Sequence, residues 1–294
     1  MSAIREEGAD AEPIRVLFTL HNNMNALDFV GPLEVLGMAL NDVNDNEDKA
    51  FDCEFVGPGE NVMSASGTSF RSHMTYKDAY KQLKDFDVLV VSGGNWEHVT
   101  KNKEEPLGLI RAFADLQEHN AQKERTILSV DTGSLFLAAE GILQGLSATT
   151  HPSNYINLEI LAQESAQKDL DTRTEVVEGE RYVVNQGRFD LGDNLEDNPY
   201  VFRKNPARKG SIGGPVRKGS EARKMSNARR ESIVRRSTMR LGGMRVVTAA
   251  GSTCGIDAAM YLVSALVSFE SAQHISDKMQ YEWKKGLVVD SIDV

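Results

Sequence analysis

The sequence predicts a parallel α/β fold, and three observations carry that prediction. Short, nearly continuous apolar runs recur along the chain, and most are followed by a stretch of helical period. A strand that is apolar at almost every position is buried on both faces, as in a parallel sheet covered by helices. Three of the predicted strands end in small residues: Ser92-Gly93-Gly94, Asp131-Thr132-Gly133 and Ala249-Ala250-Gly251. Ligands of open α/β sheets bind at the carboxyl ends of strands, so these three turns are expected to meet at one crevice.

Taken in order, residues 1–12 read as a disordered tail, polar and acidic. IRVLFTL, from Ile14 to Leu20, is the first strand. LDFVGPLEVLGMAL, Leu27 to Leu40, has helical period, with Pro32 expected at a break or in a first turn. FDCEFVG at 51–57 and DVLVVSGG at 87–94 are the next strands, and 104–119 reads as a helix. TILSV at 126–130 is a buried strand that runs directly into a helix ending near Gly141. An amphipathic helix follows at 153–165, then two short strands at 174–178 and 181–185. MRVVTAAG, Met244 to Gly251, is the last strand, and Gly255 to Glu270 a strongly apolar helix. The expected organisation is one domain over 13–286, interrupted at about 190–243, with a short tail at 287–294.

Charge is divided unevenly. The 294 residues sum to −10, from 33 Lys+Arg and 43 Asp+Glu. Residues 203–245 hold 14 basic and 2 acidic side chains, a charge of +12, so the other 251 residues carry 19 basic and 41 acidic, a charge of −22. The stretch from Phe189 to Gly243 is rich in Arg, Lys, Gly, Ser and Asn. It has too little apolar surface to offset its ordering entropy, so a disordered basic insertion is expected there. Two cysteines, Cys53 and Cys254, exclude a disulfide framework, and no metal-ligand spacing is present. No secretory signal, transmembrane run or cofactor motif is read. The expectation is a cytoplasmic protein with reduced thiols and no membrane partner; the Arg pairs of the insertion give a weak nuclear-import signal.

TILSV-Asp131-TGSLFLAA has the form of a nucleophile elbow, which lifts one polar side chain above the sheet and aims backbone N–H groups at it. Read from spacing alone, Asp131 serves equally well as a helix N-cap. LDFVGPLEVL (27–36), DVLVVSGG (87–94), SVDTGSLFLAAEGILQGLSATTH (129–151) and VVTAAGSTCGIDAAMYLV (246–263) occur in this order. Together they resemble the ThiJ/PfpI superfamily, the class I glutamine-amidotransferase-like proteins, most closely its isocyanide-hydratase-like branch. That resemblance implies a flavodoxin-like three-layer sandwich and a homodimer. It also implies a reactive cysteine at the elbow, where this chain has Asp131. A carboxylate forms no thioester or sulfenic acid, so the family's thiol chemistry is not available at this position.

The resemblance implies further site residues. Asp28 matches the acidic residue beside the elbow in isocyanide hydratases, with helix capping as its simpler reading. Two facing carboxyls share a proton readily, which makes Asp28 and Asp131 an acid/base device. The N–H groups of Gly94 and Thr132, with Gly93 beside them, match oxyanion-type donors, or are ordinary turn geometry. His151 matches a site histidine of many relatives. Cys53 reads as buried packing, Cys254 as a less favoured substitute nucleophile, and Glu34 as a structural group.

The insertion repeats one pattern. Arg-(Arg/Lys)-x-(Ser/Thr) ends at Ser211, Ser220, Ser226, Ser232 and Thr238, the last four hydroxyls spaced by six. The pattern resembles substrates of basophilic protein kinases. Each phosphate adds about −1.5 to −2, so five would take +12 to about +2 to +4.5. The expected partners are therefore a small-molecule ligand or substrate and such a kinase. Nucleic acid is less favoured, since no aromatics interleave the charges. A solvated insertion with no role is the plain alternative. Two functions stay open: a hydratase or lyase using Asp131 and Asp28, and a catalytically dead sensor or interaction module regulated by phosphorylation. No helix-turn-helix pattern follows the last helix, which disfavours a transcription factor.

Overall fold

The computed structural model describes residues 12–166, 173–185 and 239–289, and the backbone of 201–203. The chain opens with β1 (Ile14–Thr19) and α1 (Ala26–Met38), then β2 (Phe51–Gly57). A small excursion follows: β3 (Asn61–Met63), β4 (Ser69–Arg71), β5 (Met74–Thr75) and α2 (Tyr76–Gln82). The centre is β6 (Val88–Val91), α3 (Trp96–Asn102), α4 (Leu107–His119), β7 (Thr126–Val130) and α5 (Gly133–Ala139). Next come β8 (Ser147–Ala148), α6 (Tyr155–Ala166), β9 (Glu175–Val176), β10 (Tyr182–Asn185) and β11 (Val201–Arg203). The chain closes with β12 (Arg245–Ala249), α7 (Ser252–Leu266), α8 (Phe269–Met279) and β13 (Gly286–Val288).

Nine strands form one sheet in the order β11-β13-β10-β12-β7-β6-β1-β2-β5. From β12 to β5 the pairings are parallel, with Val247 opposite Leu128 and Val16 opposite Val88. β10 runs antiparallel to β12, Asn185 lying opposite Val246, and carries β13 and β11 parallel to itself. The strands read as unbroken apolar runs because both faces are covered. Val16 and Phe18 face one layer with α1 and α7, while Leu17 between them faces the other with α4 and α5. Each fully buried Leu or Phe contributes on the order of 2 kcal/mol. This is the flavodoxin-like α/β sandwich that the sequence resemblance implies.

Four expectations are corrected. Pro32 is the seventh residue of α1 and does not end it. The helix is held from outside, with Pro32 buried against the Gly255 position of α7, and this packing offsets the lost backbone bond. Residues 287 and 288, read as the start of a tail, belong to the sheet strand Gly286–Val288 and are buried, as the apolar run Leu287-Val288-Val289 favours. Val201–Arg203, inside the expected insertion, pairs with β13 as an edge strand. The seven-residue helices at 76–82 and 96–102 and most of the amphipathic helix at 269–279 go unread in the sequence. The far end of the expected insertion is ordered too, a short helical turn at Arg240–Gly243 with Leu241, Gly242 and Gly243 buried and Gly242 O accepting from Gln117 Nε2. The rest, with Ser211, Ser220, Ser226, Ser232 and Thr238, lies outside the described residues. Among the described residues no helix is long and apolar enough to cross a membrane.

Candidate functional site: a carboxyl pair at the strand ends

Asp131 follows the last residue of β7 in the left-handed region, with φ 56°. Four bonds fix that conformation. Its N–H donates to Ala249 O at 3.0 Å, and its carbonyl accepts from Thr150 Oγ1 at 3.1 Å and Ser134 Oγ at 3.2 Å. The Thr132 N–H donates to Asp131 Oδ1 at 2.6 Å. A non-glycine residue held at positive φ costs on the order of 1 kcal/mol and persists only where the surroundings over-determine it. The elbow reading therefore holds over simple capping: Thr132, not Asp131, is the N-cap of α5, and Asp131 stands one residue outside. Gly133 lets the turn close, since a Cβ there would meet Val91 O at 2.5 Å.

Asp28 is the third residue of α1 and is fully buried. It does not cap its helix. Its Oδ2 accepts from Gly93 N and from Asn25 Nδ2, each at 3.1 Å. Its Oδ1 is buried with no partner of good hydrogen-bond geometry, although the Ser252 hydroxyl is near enough to act on the carboxyl. A Cβ on Gly93 would lie 2.7 Å from Thr132 N and 2.8 Å from Asp28 Oδ2, so the glycine turn after β6 sits between the elbow and α1. The three strand ends meet as expected, Gly93 and Gly94 against Asp28 and Thr132, and Asp131 against Ala249.

Electrostatics divide the two carboxyls. Burial, and then the charge of Asp131, push Asp28 up to about 7; hydrogen bonds from Ser252, Asn25 and Gly93 oppose the shift. Burial also raises Asp131, against the nearby His151 and the Thr132 hydrogen bonds, which lower it. Asp131 is thus the first to ionise, and its charge keeps the proton on Asp28.

The other predicted residues are placed as follows. The Gly94 N–H donates to Thr132 Oγ1 at 2.8 Å, so Gly93, Gly94 and Thr132 all spend their N–H groups on protein oxygens. His151 is exposed, caps the short turn after it through Nδ1 and Ser153 N, and lies close enough for its charge to act on Asp131. Cys254 is in the first turn of α7, buried, with burial raising its thiol; Cys53 is pushed up to about 12. Neither is an activated nucleophile. Glu34 is exposed on α1. Among the described residues no three metal-ligating side chains are grouped to hold a metal. Sequence reasoning missed Asn25, Ser252 and His21. Asn25 lies three residues before Asp28, a detectable signal; Ser252 and His21 reach the site only through the fold.

A sheet whose strand ends carry an elbow, a glycine turn and a buried carboxyl is the arrangement that the sequence resemblance to the class I glutamine-amidotransferase-like proteins implies. The chain belongs to the DJ-1/PfpI family, which it matches over residues 14–188. It is 32% identical to the isonitrile hydratase of Pseudomonas putida over 138 residues, 47% of this chain and 52% of that protein. The match thus spans about half the length of that relative. Drosophila melanogaster DJ-1beta shares the fold at a TM-score of 0.53 and 14% identity, over 92% of this chain and 100% of that one. A ThiJ/PfpI family protein from Pseudomonas syringae does so at 0.52 and 17%, over 96% and 83%. The resemblance to the ThiJ/PfpI superfamily and its isocyanide-hydratase-like branch is upheld.

Proposed function

We propose that this site hydrates a small molecule with a basic, electron-rich carbon, of which an isocyanide is the type. The observation that carries the reading is the buried carboxyl pair with its proton affinities set apart, Asp28 at about 7 beside an Asp131 that ionises first. Asp28 gives its proton to the terminal carbon of R–N≡C, whose lone pair forms the new C–H bond. The resulting nitrilium carbon is attacked by water as the Asp131 carboxylate takes a proton from that water. The product at this stage is R–N=CH–OH. Asp131 then protonates its nitrogen while the hydroxyl proton passes to Asp28. Isocyanide plus water has become the formamide R–NH–CHO, and both carboxyls are reset. His151 favours the ionised Asp131 that the base role needs.

The test is formamide production by the unaltered chain across a panel of isocyanides, with 2-oxoaldehydes as controls. The rate is expected to fall as pH rises through about 7, where Asp28 loses its proton, and to fall again in acid as Asp131 gains one. No formamide, or a rate still climbing at pH 8, would sink the reading.

One observation favours a second reading, a catalytically dead sensor or interaction module. The Thr132 N–H is taken by the Asp131 carboxylate and the Gly94 N–H by the Thr132 hydroxyl, leaving neither for a substrate oxyanion. On either reading we propose that the basic insertion is a phosphorylation switch. Its described flanks, Asn185 and Met239, lie toward the end of the sheet opposite the carboxyls, since Asn185 pairs with Val246 while Ala249 leads to the site. A cavity of about 600 Å³ at that end is lined by Glu12, Asp52, Asp85, Asp87 and Glu124 with Arg15 and Lys123. A +12 segment is attracted to such a surface, and a phosphorylated one is attracted less. Incubation with a cyclic-AMP-dependent-type kinase should add up to five phosphates by intact mass. A chain that gains none has no such switch.

A further inference from the structure

We propose that His21 is a positioning residue of the carboxyl site. Neutral, with its proton on Nε2, it holds the turn at 93–95 in the orientation from which backbone N–H groups reach Asp28 and Thr132.

His21 follows the first apolar run and is buried, 3% exposed. Its Nε2 lies 2.8 Å from Gly94 O, and its ring stands edge-on to Phe136 at 5.3 Å. A carbonyl oxygen only accepts, so Nε2 donates, and in the neutral ring Nδ1 is then bare. Nδ1 is buried without a hydrogen-bond partner. A second ring proton would sit there with no protein acceptor, and burial accordingly lowers the ring's proton affinity while the Gly94 bond opposes that shift. The Nε2–H form is therefore the resting state.

The acceptor is the critical atom. Gly94 has φ 101°, a conformation in which glycine alone is unstrained, so the backbone at this point resists rotation least. Its own N–H donates to Thr132 Oγ1, and the Gly93 N–H donates to Asp28 Oδ2. The rest of the 21–25 loop grips the same turn: Asn25 N donates to Gly93 O at 3.0 Å, and Asn95 Nδ2 to Asn22 O at 3.1 Å. A Cβ on Gly94 would lie 2.7 Å from Asn25 N and 2.8 Å from Asn23 O, so the two loops touch backbone to backbone. His21 is the side chain of that loop that ties the Gly94 carbonyl. Without it, the Gly94–Asn95 peptide loses its side-chain anchor, and the Gly93 N–H, two peptide units back in the same turn, is held less firmly against the Asp28 carboxylate that it stabilises.

The inference rests on the carboxyl site described above, and its experiment reads titration rather than turnover, so the two can fail separately. Carbon-13 NMR of aspartate-labelled protein follows the Asp28 carboxyl, assigned by its loss in Asp28→Asn. The groups facing that carboxyl are Asp131, Ser252, Asn25 and the Gly93 N–H, with His151 acting on Asp131. The unaltered chain should titrate near 7. His21→Phe keeps the ring but not the donor, and should shift the midpoint upward by about one unit, the worth of one charge-assisted hydrogen bond. His21→Gln, which offers an amide donor, should return most of that shift. A purely structural His21 would lower the unfolding midpoint in both variants and leave the Asp28 titration in place, which overturns the proposal. If His21→Phe does not fold, long-range nitrogen-15 spectra of the unaltered chain still decide: an Nδ1–H ring defeats the proposal, and an Nε2–H ring supports it.

Discussion

Asp28→Asn should make the folded chain more stable at pH 8 by roughly 2–3 kcal/mol, and at the same time abolish formamide production. An unfolded aspartate titrates near 4, whereas folding pushes Asp28 up to about 7. Between those values the folded chain holds a proton that the unfolded chain has released. Stability from this group is thus complete below about 4, is lost as pH rises toward about 7, and is level above it. The loss is on the order of 4 kcal/mol. Asparagine never ionises, and its oxygen still accepts from Gly93 N and Asn25 Nδ2. Its NH2 takes the place of the unpartnered Oδ1, which costs about 1 kcal/mol and leaves the stated net gain. Urea unfolding from pH 4 to 8 checks this. The unaltered chain should weaken across that range and the variant should lack this component. Parallel curves would mean that Asp28 does not carry the proton.

Asp131→Cys should convert the elbow to thiol chemistry, with turnover of isocyanides on the order of 10³-fold above the unaltered chain. Three of the four bonds that fix the elbow, those to Ala249 O, Thr150 and Ser134, are made by the backbone of residue 131, so the turn survives the exchange. Removing the charge at 131 removes the second cause of the Asp28 shift, so Asp28 should titrate below about 7 in this variant. The Thr132 N–H, released from Asp131 Oδ1, becomes free for an oxyanion. A one-to-one reaction with iodoacetamide at position 131 is expected, since the Thr132 N–H favours a thiolate there while the thiols of Cys53 and Cys254 are held protonated. An inert thiol at 131 would show that the crevice no longer supports the family's chemistry.

The legible part of the site followed from short-range pattern. Asp131 was visible because a buried strand, one polar residue and a run of small residues can fold locally in few ways. Asp28 was visible only through the family resemblance, because an acidic residue in a first helical turn has a ready local explanation as a cap. Its burial and its contact with Gly93, 65 residues away, are tertiary facts. The oxyanion-type donors show the limit of such reasoning most clearly. The sequence names Gly94 and Thr132 correctly as turn residues, yet whether their N–H groups face a substrate or a neighbouring oxygen depends on a few degrees of rotation. Pro32 was misjudged for a related reason: local propensity opposes a proline in mid-helix, and the packing of α1 on α7 overrides it.

By itself, the sequence determined the α/β class, the order of most elements, and the division of charge between a −22 body and a +12 segment. These depend on composition and on periodicity within a few residues, which survive without a fold. Only the tertiary structure decided that β13 joins the sheet, that Asp28 is wholly buried beside Asp131, and that His21 meets the Gly94 carbonyl. A carboxyl's proton affinity is set by the water it has lost and the charges it has gained, and both are supplied by residues distant in sequence.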